Sequence, residues 1–215
     1  MISKETKKYI QRIANKKRIS IPDNYTEALS EYCLLVEKRG HKLEFRTGRN
    51  LAPDSLGANA GLFGRSSIVV TPEWAAKLVF ENADDTRNAF LITLGHELTH
   101  KDKEIFPLRF GFRWMSLIAY INEIHADYSA AQKMVESKRS ILLKSVDYKR
   151  YHKVEIRGIQ DKDTPEHPSW TRRKSYIESF NFDAQLIRKI ALDLNCQNIK
   201  IIKYLIEFYD EIVLY

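Results

Sequence analysis

Two histidines four residues apart, with a glutamate between them, are the side chains of this chain best suited to chemistry. They are His96, Glu97 and His100, in the spacing HExxH, within LITLGHELTHKDKE, Leu91 to Glu104. On an α-helix each residue turns by about 100°, so positions four apart nearly eclipse one another. Two imidazoles stacked in this way can grip one zinc ion, while Glu97 beside them reaches a water on the metal rather than the metal. Twenty-three residues beyond His100 come Asn122, Glu123 and Asp127, in the pattern NExxxD. Glu123 would supply a third ligand and leave the fourth position to water, as a catalytic rather than a structural zinc site requires. Asp127, one turn along the same face, could accept a hydrogen bond from the far nitrogen of a ligand histidine and so fix its tautomer. Asn122 could do the same through its side-chain oxygen, more weakly. The expected chemistry is hydrolysis by a zinc-activated water, with Glu97 as general base and then acid.

Two helices must position these groups. For the first, Asp84 or Asp85 can cap the start, Leu91, Leu94 and Leu98 recur at helical spacing, and Lys101 and Lys103 sit at the negative end of the dipole. Gly95 is a poor helix former, so its place next to His96 predicts close approach of another backbone. The second helix is read over FGFRWMSLIAYINEIHADYSAAQKMV, residues 110–135. Leu117, Ile118, Ile121 and Ile124 make most of it apolar, so acidic groups in its middle are costly unless something cationic meets them. On this helix His125 points about 160° away from Glu123. His41 and His152 have weaker claims still.

HELTH followed by NExxxD resembles the gluzincin metallopeptidases, the clan typified by thermolysin. Within that clan the chain is more similar to the HtpX and CAAX-prenyl protease family. The second motif also reads as ExxAD (Glu123, Ala126, Asp127); Gly57 to Leu78, GANAGLFGRSSIVVTPEWAAKL, is similar to that family's Asn-Ala-containing edge strand; and Glu166 to Arg173, EHPSWTRR, looks like its late HPxxxxR element. The resemblance spans roughly residues 42 to 180, and departs from the family in lacking membrane segments and in a short span between the zinc motifs. It implies a zincin-like fold and one zinc ion. It also implies that His167 comes near the metal, donating to the oxyanion or filling the fourth coordination place, with Arg172 or Arg173 supporting it from behind. The other reading of His167 is a surface histidine in a turn. Asn59, Ala60 and Gly61, small enough to let a peptide backbone approach, are candidates for an edge that holds an extended substrate by main-chain hydrogen bonds, though an ordinary glycine-rich loop fits those letters as well. A repressor-cleaving zinc peptidase of the ImmA type, which also pairs a short HExxH helix with a downstream glutamate, is the alternative within the enzyme class.

The rest of the chain fits an α+β domain, mostly helical with a small mixed sheet. A basic arm is expected over 1–20, the metallopeptidase domain over 21–180, and a helical segment packed on it over 181–215. At 215 residues, 44% of them hydrophobic, one full core is affordable. No apolar run approaches the roughly 20 residues that cross a bilayer, and no export signal is visible, which points to a cytoplasmic protein. Cys33 and Cys196 make neither a disulfide framework nor a metal spacing. The net charge of +7 gathers in residues 1–20 (Lys4, Lys7, Lys8, Arg12, Lys16, Lys17 and Arg18 against Glu5) and around Lys144, Lys149, Arg150 and Lys153. Such clusters could attract nucleic acid, or be solvated surface, and a non-catalytic basic or zinc-binding protein is the reading outside the enzyme class. A helix is expected over Pro22–Arg39 with Gly40 as its C-cap, strands over His41–Arg46 and Ser66–Val70, a helix extension and then a loop over Ser137–Asp163, a helix from Ser169, and two amphipathic segments between Asp183 and Tyr215.

Overall fold

The computed structural model of the chain describes residues 1–60, 67–81, 83–102, 105, 112–135 and 139–213. Gly61 and Lys103 lie outside the described residues, as do residues 110–111 of the expected second helix. The chain is mostly helical, with a small mixed sheet. Helix α1 (Lys4–Lys17) opens at Ser3, whose hydroxyl accepts from the Thr6 N–H. It buries Tyr9, Ile10 and Ala14 and leaves its six basic residues exposed, so this segment docks on the body. Helix α2 (Tyr25–Glu37) precedes Gly40, which takes the left-handed conformation (φ +79°) that a residue without Cβ adopts freely.

Three strands follow: β1 (Lys42–Phe45), β2 (Ala58–Asn59) and β3 (Ser67–Val70). β3 is central, parallel to β1 (Leu43 opposite Ile68) and antiparallel to β2 (Asn59 opposite Val69). Beyond β1 the first residues cover the sheet, with Ser3 N–H donating to Phe45 O at 3.0 Å. Among the described strands β2 lies at the other side of the sheet, beside the helix that carries HExxH. The alternation read from the letters puts Leu43, Phe45, Ile68 and Val70 inward, all essentially inaccessible.

Helix α3 (Pro72–Phe80), unassigned from sequence, begins with a proline whose fixed φ suits a first helical turn, and it buries Trp74. Helix α4 (Asp84–Asp102) carries HExxH and α5 (Met115–Met134) carries NExxxD. Asp84 and Asp85 fall within the first turn of α4, where they face the dipole instead of capping it. The expected extension of α5 is instead a separate helix. α5 ends at Met134, and α6 (Arg139–Tyr151) packs on α4 and on α7 (Trp170–Ser179), burying Leu142, Ser145, Val146 and Lys149. A π-helical turn, His152–Ile156, continues α6, and Ser169 caps α7 through a hydrogen bond from the Arg172 N–H. Helices α8 (Ala184–Asp193) and α9 (Ile199–Val213) close the chain.

Packing divides into linked clusters. Leu94 and Leu98 of α4 join Phe45, Ile68, Trp74 and Phe90 on the sheet side. Ile118, Ile121 and Ile124 of α5 join Tyr176, Leu186, Ile190, Leu205 and Tyr209 on the other side. Each such side chain contributes about 1.5–3 kcal/mol by leaving water. The two helices meet at Gly95, where an added Cβ would lie 2.6 Å from Met134 Cγ and 3.0 Å from the Ala130 Cα. Among the described residues no helix is long and apolar enough to cross a membrane, and both cysteines are free.

Candidate metal centre

The close approach at Gly95 brings the motif faces of α4 and α5 together. His96, His100 and Glu123 form a group that could hold a metal ion, with one ligand atom from each within 4.8 Å of the others. The two Nε2 atoms stand 2.9 Å apart; His96 Nε2 is 3.4 Å from Glu123 Oε2, and His100 Nε2 is 3.4 Å from Glu123 Oε1. A tetrahedral ion with ligand arms of about 2.0–2.1 Å needs donor separations of about 3.3–3.4 Å, so these three fit a small divalent cation. The donor set, two imidazoles and a carboxylate, suits zinc chemistry.

His96 Nδ1 lies 3.0 Å from Asp127 Oδ1, a fully buried carboxylate. An ionised Asp127 draws the ring hydrogen to Nδ1, which leaves the Nε2 lone pair facing the donor cluster. Behind the carboxylates sits Arg173, itself buried. Its Nε and Nη2 donate to Asp127 Oδ2 (2.8 Å) and Oδ1 (2.5 Å), and its Nη1 donates to Glu123 Oε2 (3.0 Å). This is the cation that acidic residues in an apolar helix require. Burial pushes the Asp127 carboxyl up, but the Arg173 charge and the His96 hydrogen bond overcome it and hold it well below the carboxylate range. Glu123 behaves alike: burial raises it, while His96 and hydrogen bonds from His100 and His167 bring it well below its ordinary value. Arg173 is disfavoured by burial and kept charged by Asp127 and Glu123.

Glu97, the residue after His96 on α4, is half-buried and, among the described residues, makes no hydrogen bond. His167 is exposed at the mouth of the cluster with Nδ1 3.0 Å from Glu123 Oε1, a contact that raises its pKa. Its turn is held by Thr164, whose hydroxyl accepts from the His167 N–H (3.0 Å) and whose N–H donates to the His167 carbonyl (2.9 Å). Tyr120 of α5 in turn donates to Thr164 O.

Of the other expected site residues, Arg172 points outward to Asp163 (2.7 Å), and Asn122 donates to Ile105 O while its oxygen accepts from the Tyr209 hydroxyl. Asn59 is exposed on β2 and Ala60 beside it is buried. His125 is turned toward Phe182 and Tyr209, where burial lowers its pKa to about 4. The sequence reading missed Lys149 and Trp170. Lys149, grouped there with basic residues that could be solvated, is buried, with Nζ 3.3 Å from Thr93 Oγ1 and 4.8 Å from the centre of the Trp170 ring; Arg173 lies 4.2 Å from the same ring. Leu142 and Val146, four apart, hint at the inward face of α6, but no apolar signal marks Lys149 itself. Set against known proteins, the chain matches no family model, no curated protein and no solved structure.

Proposed function

We propose that this chain is a zinc-dependent endopeptidase with a zincin-like fold, akin to the gluzincins that its two motifs resemble. The observation that carries the reading is the convergence of His96, His100 and Glu123 at separations suited to one small cation. A zinc ion held there would supply Lewis acidity, polarising a peptide carbonyl and acidifying water toward a pKa of about 7. The residues divide the remaining work. Glu97 takes the proton of the attacking water and returns it to the leaving amine. Asp127 keeps the His96 hydrogen on Nδ1, and Arg173 holds Asp127 and Glu123 ionised and in place. His167, at the mouth, can donate to the oxygen on which charge develops. The short strand β2, at Ala58 and Asn59, would align an extended peptide.

The test is metal content and turnover together. Purified chain should take up one zinc ion, and the loaded protein should cleave casein or a mixed peptide library. Glu97→Gln should keep the zinc and lose at least about a hundredfold in rate. A wild-type chain that takes up no zinc, or a Glu97→Gln protein that cleaves as fast as wild type, would remove the proposal.

A further inference from the structure

A second concave feature adjoins the metal centre. It is a cavity of about 110 Å³, lined in part by Gly57, Lys149, His152, Lys153, Arg157 and Trp170. No carboxylate lines it among the described residues. Each of its other basic side chains has an acidic neighbour: Asp161 is 3.7 Å from Lys153, the exposed Asp54 is 3.1 Å from Arg157, and Glu73 is 3.3 Å from His152. Lys149 has no such neighbour. Only 5% of it is exposed, and its ammonium meets the Thr93 hydroxyl and the Trp170 ring, with no carboxylate within ion-pair distance among the described residues. Burial brings its pKa down to about 8, against the opposing fields of Asp127, Glu97 and Glu123. The Nε of Arg157 is likewise buried and makes no hydrogen bond. A buried cation without an anion is costly, and proteins keep such groups where a ligand supplies the missing charge.

The position of the cavity says which ligand. Thr93, which Lys149 touches, is four residues before Glu97 on α4, a rise of about 6 Å. Gly57, on the cavity wall, directly precedes β2. A peptide lying along β2 and passing Glu97 would therefore bring a residue two or three places from the scissile bond to this opening, at about 3.3 Å per residue. We infer that Lys149 and Arg157, with Lys153 at the rim, form a subsite for a substrate carboxylate, so that the enzyme selects peptides with an acidic side chain or a free C-terminus near the cleaved bond. This rests on the peptidase reading of the adjoining centre.

The experiment separates the two claims. Labelled hexapeptides are titrated into zinc-loaded, full-length Glu97→Gln protein and followed by fluorescence anisotropy; the set carries Glu in place of Gln at each position in turn, with acid or amide C-termini. The expected result is that Glu at one position, or the free terminus, tightens Kd at least about tenfold, the size of one charge-assisted hydrogen bond in such a place. A position-specific Glu effect identifies a side-chain carboxylate, and an acid-over-amide effect a chain terminus. The preference should fall to less than about threefold when Lys149→Met or Arg157→Gln is added. Arg157 lies near the surface, so its replacement leaves the core intact should Lys149→Met misfold, and circular dichroism and zinc stoichiometry report on both. Equal binding of acidic and neutral peptides, no binding of acidic peptides up to millimolar concentration, or a preference unmoved in both variants overturns the subsite. Turnover by the wild-type chain without acid preference sinks the subsite and spares the peptidase. Lysine-dependent acid binding with no turnover of any peptide does the reverse.

Discussion

The indole of Trp170 touches two buried cations that live under opposite conditions. Arg173 is met by two carboxylates through three hydrogen bonds, and its planar fork matches the bidentate face of Asp127. Lys149 is as well shielded from water and is met by a hydroxyl and a ring. The first is scaffolding, because its charge is satisfied within the fold and it fixes the orientation of other groups. The second carries an unmet electrostatic demand. Burial alone thus says little about the role of a charged side chain; the company it keeps decides.

Four changes would break or sharpen this contrast. The largest effect is expected from Arg173→Met, which leaves Asp127 and Glu123 buried without their guanidinium partner. Denaturant unfolding should show a loss of about 3–5 kcal/mol, and zinc titration a 10–100-fold weaker site. Gly95→Ala should come next. Its Cβ would meet Met134 Cγ at 2.6 Å and the Ala130 backbone at 3.0 Å, so α4 and α5 must separate. A cost of about 1–3 kcal/mol, with weakened metal binding, is expected, and an unchanged melting curve would show that the helices yield freely.

Lys149→Met should act in the opposite direction to Arg173→Met, raising stability at pH 7 by about 1–3 kcal/mol, because an unpaired cation gives way to an apolar side chain of similar length. The pH dependence checks the sign. The ammonium titrates at about 8 in the folded chain against an ordinary 10.5, so between those values the unfolded state binds more protons and stability rises with pH. Below pH 8 the deficit is constant. Unfolding of the wild type measured from pH 8 to about 10 should show the rise, and the variant should lack it. The smallest effect, under about 1 kcal/mol, is expected for Arg172→Gln, since the Asp163 pair it breaks is partly solvated. Were Arg172→Gln to match Arg173→Met in unfolding experiments, the distinction between the two arginines would fail.

Those neighbouring arginines mark where sequence reasoning stopped. The spacing of His96, Glu97 and His100 and the apolar flanks of Glu123 were enough to anticipate a donor cluster, because helical periodicity is local. The choice between Arg172 and Arg173 depends on the phase at which α7 meets α5, which is set by the Ser169 cap and by packing over a distance of some fifty residues. Lys149 was hidden for a related reason. α6 reads as charged throughout, and two of its four buried positions, Ser145 and Lys149, are polar, so the inward face carries no apolar stripe. A substrate edge was read from the small residues Asn59, Ala60 and Gly61, whereas the order β1-β3-β2 rests on a parallel pairing of β1 with β3 that no local pattern announces.

The contact at Gly95 has a consequence for how the protein would meet its ion. In small zinc domains the metal is the core, and chelation unfolds the chain. Here backbone packing of α4 on α5, flanked by apolar clusters on both sides, holds together the two helices that carry the donors. The entropic cost of assembling the ligands is met during folding, so a chelator should abolish catalysis while leaving the helical circular-dichroism signal almost intact, and activity should return when zinc is added back.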